Sequence, residues 1–135
     1  MKLFYSFLFL FPCLLFAQHN ISLEVNNVKT SNGTINVAVY DESEGFLKLD
    51  KVYKADSALA RKGKTELHIT GLPEGEYALA IFHDENGNNK LDTNWLGIPK
   101  EDIGFSYGQM KTFGPPQFKE CAFTLTNNQK IEISL

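Results

Sequence analysis

Between His83 and Asn94, oxygen-bearing side chains fall at alternate positions: Asp84, Asn86 and Asn88, with Asp92 following. This is the D-x-[DN]-x-[DN] spacing that converges oxygens on one hard cation, calcium above all. The seventh position of such a loop supplies a backbone carbonyl, here that of Lys90. The eighth is an apolar anchor, here Leu91, and the ninth binds through water, here Asp92. Two positions depart from the pattern. The sixth is Asn89 instead of glycine, although asparagine tolerates left-handed backbone. The twelfth is Trp95 instead of a bidentate glutamate, a ligand that Glu101 or Asp102 would replace by folding back. The bland alternative is a solvated turn, because Asn, Asp and Gly bond to their own backbone and reach positive φ without a metal.

The segment that positions this loop is Glu76 to His83. It is apolar on both faces, with Tyr77, Leu79 and Ile81 on one side and Ala78, Ala80 and Phe82 on the other. Such a strand is covered on both sides, which gives the loop a rigid support. Because a strand leads in, a helix-loop-helix hand is excluded. Elsewhere the apolar residues alternate with period two, as half-buried strands require. Ile21, Leu23 and Val25 form one such set, and Ile35, Val37 and Val39 a second beyond the Asn32-Gly33 turn signal, so these two are expected to pair as a hairpin. Leu67 and Ile69 follow, then the turn Gly71-Leu72-Pro73-Glu74-Gly75. Cys121, Phe123 and Leu125 face inward before the turn at Asn127-Asn128, and Ile131, Ile133 and Leu135 complete a second expected hairpin. Residues 42–63 read as a crossover with one weak strand near 51–57. Together these predict an all-β chain, an antiparallel β-sandwich of about seven strands.

The chain has 135 residues, which suits a single domain. Lys2, the apolar run Leu3 to Phe16, and Leu15-Phe16-Ala17 before Gln18 have the plan of an export signal covering residues 1–17. The run is short for a membrane span and is interrupted by Pro12. Phe11-Pro12 before Cys13 does not fit a lipoprotein signal. Residues 18–135 would then be one exported domain without a transmembrane span, in the periplasm, on the outer surface or secreted. Removing residues 1–17 takes away one of 13 basic side chains and none of the 16 acidic ones. A mildly acidic chain with no basic stripe cannot neutralise phosphates, so nucleic acid is excluded as a partner. Cys121 would be the single mature cysteine, so no intrachain disulfide forms.

Residues 93–118 have no steady period and are rich in Gly, Pro and aromatics. A structureless connection of that length is uncommon and usually functional or disordered, and the aromatics argue against disorder. Trp95, Phe105 and Tyr107 are the expected contact surface for a protein or carbohydrate partner, if the aromatics do not simply close one end of the core. Gly104-Phe105-Ser106-Tyr107-Gly108 matches the G-x-S-x-G nucleophile elbow. The strand, helix and sheet that this motif requires are missing around it. The spacings of His19, His68 and His83 fit no zinc motif.

The combination of Gly71-Leu72-Pro73-Glu74-Gly75-Glu76-Tyr77, His83 to Asn88, Lys90 to Asn94, Gly97-Ile98-Pro99-Lys100-Glu101, Gly104-Phe105-Ser106 and Phe113-Gly114-Pro115-Pro116 resembles the bacterial family catalogued as domain of unknown function 2141, which usually has Gly where this chain has Asn89. The resemblance covers essentially the whole chain after residue 17. It implies an exported bacterial protein, and the Leu72-to-Tyr77 segment also resembles prealbumin-like repeats, which are Ig-like β-sandwiches. No activity comes with the resemblance. The expected function is a non-catalytic binding or accessory module whose calcium loop, through Asp84, Asn86, Asn88, Lys90 and Asp92, stiffens one end of the sandwich. The alternatives are a structural envelope domain that binds no metal, and a small hydrolase using His83 with Asp84, Glu101 or Asp102.

Overall fold

The computed structural model describes residues 15–135. The expected leader falls mostly on residues 1–14, outside the described residues, and the first strand begins directly after it. The strands are β1 (Gln18–Val28), β2 (Thr34–Tyr40), β3 (Lys54–Leu59), β4 (Gly63–Pro73), β5 (Gly75–Asp84), β6 (Ile103–Phe105), β7 (Phe123–Leu125) and β8 (Gln129–Ser134). One short helix, α1 (Phe118–Cys121), and one 3-10 turn, Leu49–Lys51, complete the elements. Among the described residues no helix is long and apolar enough to cross a membrane. The fold is all-β, in two sheets ordered β4-β1-β8 and β3-β2-β5-β6, with β7 also pairing to β5.

Strand existence follows the period-two pattern, whereas strand pairing does not follow the turn signals. The β1 and β2 segments do not form a hairpin: β1 pairs with β4 and β8, and β2 with β3 and β5. Likewise β7 pairs with β5, while β8 lies parallel to β1. The parallel β1/β8 pair makes the three-stranded sheet mixed; the other pairs are antiparallel. Both short connections cross from one sheet to the other because each flanking strand has only one apolar face to bury, and the two faces meet in a common core. Ile21, Leu23 and Val25 from β1 meet Ile35, Val37 and Val39 from β2, together with Leu67, Ile69, Leu79, Ile81, Ile131 and Ile133. Asn27, at φ +60°, shifts the register near the end of β1 and lets Val28 turn inward out of phase.

As expected, β5 is covered on both faces. Its outer side carries a second apolar cluster of Tyr40, Ala78, Phe105, Phe118 and Cys121, with Phe46 and Leu47 packed against it. The weak strand near 51–57 is β3, and β6 is an eighth strand inside the stretch that shows no period in the sequence. The crossing between β4 and β5 is closed by Tyr77, whose hydroxyl donates to the Pro73 carbonyl at 2.8 Å. Tyr77→Phe leaves that carbonyl without its side-chain donor and is expected to cost about 1–2 kcal/mol. A urea midpoint that does not fall would show that the hydroxyl contributes nothing.

Candidate functional site

Asp84 is the last residue of β5 and is 0% exposed. Its carboxylate organises the loop that follows. Oδ1 accepts from the backbone N–H of Gly87 at 3.0 Å and of Asn88 at 3.2 Å, and Oδ2 accepts from Asn89 at 2.7 Å. Three amide donors around one carboxylate hold the chain in a tight coil. Asn89 takes φ +59°, the left-handed backbone that a glycine would otherwise supply at this position. Asn86 Oδ1 accepts from Asn88 N–H at 3.1 Å, and Asn88 Oδ1 from Lys90 N–H at 2.9 Å, so each asparagine closes a turn two residues on.

The amide ends of the same asparagines gather on Asp92. Asn86 Nδ2 donates to Asp92 Oδ2 at 2.6 Å, and Asn88 Nδ2 to Asp92 Oδ1 at 2.9 Å and Oδ2 at 3.1 Å. These donors, Asn88 first and then Asn86, hold the Asp92 carboxyl below its ordinary pKa, helped by the Lys100 and Lys90 charges. Glu101 is brought back to the loop, where its Oε2 accepts the Asp92 N–H at 3.1 Å. Burial, together with the negative charges of Asp92 and Asp84, raises the Glu101 pKa, although the amide bond works against the rise. Asp102 does not share this position; its carboxylate takes the Lys29 ammonium at 2.8 Å.

The oxygens of Asp84, Asn86, Asn88, Asp92 and Glu101 thus belong to one linked cluster, with Lys90 in the same turn. Among the described residues no three His, Cys, Asp or Glu side chains gather closely enough to hold a metal alone. A cation here must therefore draw on amide and carbonyl oxygens, as hard oxygen-loving ions do. To present oxygen beside Asp92, the Asn86 and Asn88 amides would have to turn end for end, giving up the bonds their Oδ1 atoms now accept from Asn88 and Lys90 N–H.

His83 lies on the opposite side of β5 from Asp84 and is fully buried at the end of the core. Its Nε2 donates to the Asn32 carbonyl at 2.7 Å, and its Nδ1 has no hydrogen-bond partner, with Glu85 Oε1 at 3.9 Å. It ties the end of β5 to the turn before β2. Gly33, at φ +68°, is pressed against the Asp84 carbonyl from the β2 side. The Asn32-Gly33 pair reads in the sequence as a turn, and its contact with Asp84 has no sequence signal.

Trp95, Phe105 and Tyr107 do not form one surface. Phe105 is only 7% exposed and belongs to the outer apolar cluster, because β6 places it beside Ala80. Tyr107 is 65% exposed and leans on Phe123, toward the Tyr77 end of β5. Trp95 lies beyond the Asp84 end of the same strand, since the Asp102 carbonyl accepts from His83 N–H and Asp92 is joined to Glu101. Ser106, within the G-x-S-x-G match, is buried. Its hydroxyl donates to the Cys121 carbonyl at 2.6 Å and accepts from Leu79 N–H at 2.9 Å, tying β6 to the helix and to β5.

A family model described as an uncharacterised protein conserved in bacteria (DUF2141) matches residues 23–133. No curated protein and no solved structure matches the chain.

Proposed function

The chain belongs to that bacterial family, whose match runs from within β1 to within β8, and on this premise we propose that it is an exported, non-catalytic binding or accessory module with a calcium-binding loop at residues 84–92. The observation that carries the reading is the buried Asp84 carboxylate at a strand end, with Asn89 in left-handed backbone and Asp92 and Glu101 turned toward the same loop. Asp84, Asn86, Asn88 and Asp92 would hold the ion through side-chain oxygens, Lys90 through its carbonyl, and Glu101 in place of the absent twelfth-position glutamate. The ion would supply positive charge among three carboxylates and stiffen the end of the sandwich. Export to the periplasm, the outer surface or the medium fits the expected leader and a mature chain with one buried cysteine. The non-catalytic reading is supported by Ser106, whose hydroxyl is fully engaged in structural bonds.

A second reading, a structural envelope domain without metal, is favoured by the Asn86 and Asn88 amides, which already satisfy Asp92 by hydrogen bonding. Thermal melts of the chain from Gln18, which holds every strand among the described residues, separate the two. At ten times the dissociation constant, calcium adds about 1.4 kcal/mol, a rise on the order of 5 °C over the melt in EGTA. Asp92→Asn should remove most of that rise, read against the variant's own melt in EGTA, because it also weakens the bonds from the Asn86 and Asn88 amides. Equal melting temperatures in EGTA and millimolar calcium would decide for the metal-free domain.

A further inference from the structure

Two Asn-Gly pairs occur in the chain, Asn32-Gly33 and Asn86-Gly87. In such a pair the glycine nitrogen can attack the asparagine carboxamide, because glycine has no side chain to hinder the approach. Both asparagines are exposed, but the fold treats them differently. The Asn32 carbonyl accepts from His83 at 2.7 Å, and Gly33 is pressed on the Asp84 backbone. Turning the Gly33 nitrogen onto the Asn32 side chain would disturb both contacts. At Gly87 nothing stands within 4 Å of an added Cβ, so the backbone has room to move.

Around Asn86 each atom of that attack already has a partner. Gly87 N–H, the nucleophile, donates to Asp84 Oδ1 at 3.0 Å, which puts a base on the proton that must leave. Asn86 Oδ1, where negative charge develops, accepts from Asn88 N–H at 3.1 Å. That bond closes a turn containing the Gly87 nitrogen and folds the Asn86 carboxamide back toward it. Asn86 Nδ2, the departing group, is held by Asp92 Oδ2 at 2.6 Å.

We propose that Asn86 is a self-modification site, where the turn from Asp84 to Asn88 converts the carboxamide to a carboxylate with release of ammonia. The Gly87 nitrogen bonds to Asn86 Cγ as its proton passes to Asp84, and the carbonyl electrons move to Oδ1 under the Asn88 N–H. When they return, the bond from Cγ to Nδ2 breaks, and that nitrogen takes a proton and leaves as ammonia. Water then opens the imide ring. Opening at Cγ restores the chain with an aspartyl side chain, and opening at the backbone carbonyl gives the isoaspartyl form. Nothing is oxidised or reduced, and water is the reagent consumed. The aspartyl product keeps the Oδ1 bond from Asn88 and presents a second oxygen where nitrogen now meets Asp92, so the Asn86 side chain no longer has to turn. Two carboxylates in contact repel unless a cation lies between them. This consequence, unlike the modification, rests on the calcium reading of the loop.

The chain from Gln18 would be held in warm neutral buffer with EGTA, and separately in concentrated urea, then digested at intervals for peptide mass mapping while released ammonia is measured. In the folded chain the mass gain from amide to carboxylate is expected about tenfold faster at Asn86 than at Asn32, with similar rates at the two sites in urea. Asp84→Asn, which keeps an acceptor oxygen but is no base, should slow Asn86 and leave Asn32 as it was. A folded Asn86 that keeps its amide as long as Asn32 does, or loses it more slowly than in urea, would overturn the proposal. Faster conversion in Asp84→Asn would also overturn it, by showing that the turn protects the amide. Asn86→Asp stands for the aspartyl product and should enlarge the rise in melting temperature that calcium gives. A rise no larger than the parent's would overturn the consequence for calcium, whatever the mass maps show.

Discussion

Asp84→Ala is expected to lower stability by about 3–4 kcal/mol, with or without calcium. The carboxylate accepts from the N–H groups of Gly87, Asn88 and Asn89, and it is fully buried where β5 ends. Hydrogen bonds to a charged group contribute about 1.5–3 kcal/mol each. The three are not additive, since the freed amides of an exposed loop partly recover water. Alanine also removes the group that keeps Asn89 left-handed. On a domain of this size the loss corresponds to a fall on the order of 12 °C in melting temperature. Asp84→Asn retains one acceptor oxygen and should fall between alanine and the parent. The readout is a urea unfolding curve in EGTA. A loss below about 1 kcal/mol for the alanine variant would mean that the loop is held by Asn86, Asn88 and Asp92 and that Asp84 is incidental to it.

Gly33→Ala should be comparably severe, for a reason that lies entirely in the contact between two strands. A Cβ at Gly33 would stand 1.8 Å from the Asp84 carbonyl oxygen and 2.9 Å from Glu85 Cα. Both are backbone, so no side chain can rotate out of the way. Thr34 pairs with Asp84 in the β2/β5 ladder, and relief requires opening that end of the sheet, which also pulls Asn32 from His83. Overpacking of this kind costs about 1–3 kcal/mol, and the φ of +68° adds about 1–2 kcal/mol for any L side chain. Gly63→Ala isolates the second contribution, because Gly63 has φ +89° but nothing within 4 Å of an added Cβ. Denaturant midpoints for the pair should therefore differ clearly, with Gly33→Ala the lower. Equal midpoints would show that the sheet end yields without cost.

The loop and its support were the most legible part of the chain. Residue types at Asp84, Asn86, Asn88 and Asp92 announced a polar coil, and Asn89 takes the left-handed conformation expected of it. Glu101 and Asp102 were equivalent in the sequence, two carboxylates at adjacent positions. Only the direction of β6 separates them, turning Glu101 to the Asp92 amide and Asp102 to Lys29. Phe105 read as a surface aromatic because its neighbours are Gly, Ser and Tyr. It is buried because β6 adds to β5 and the second apolar cluster covers that face.

Alternation of apolar residues was enough to establish an all-β chain, since period two is a property of the strand itself and needs no partner. The two-sided apolarity of Glu76 to His83 likewise established the central strand, because burial on both faces is written in its own side chains. Pairing was different. Asn32-Gly33 and Asn127-Asn128 mark chain reversals, and a reversal can return within one sheet or cross to the facing one. Which occurs depends on where distant strands complete the core: β4 and β8 take the edges of β1, and β3 and β5 those of β2. The separation of Trp95 from Tyr107 was decided at the same level. Two aromatics twelve residues apart in one loop lie toward opposite ends of β5 because β6 runs antiparallel between them, and the distance along a chain carries no information about which end of a strand it reaches.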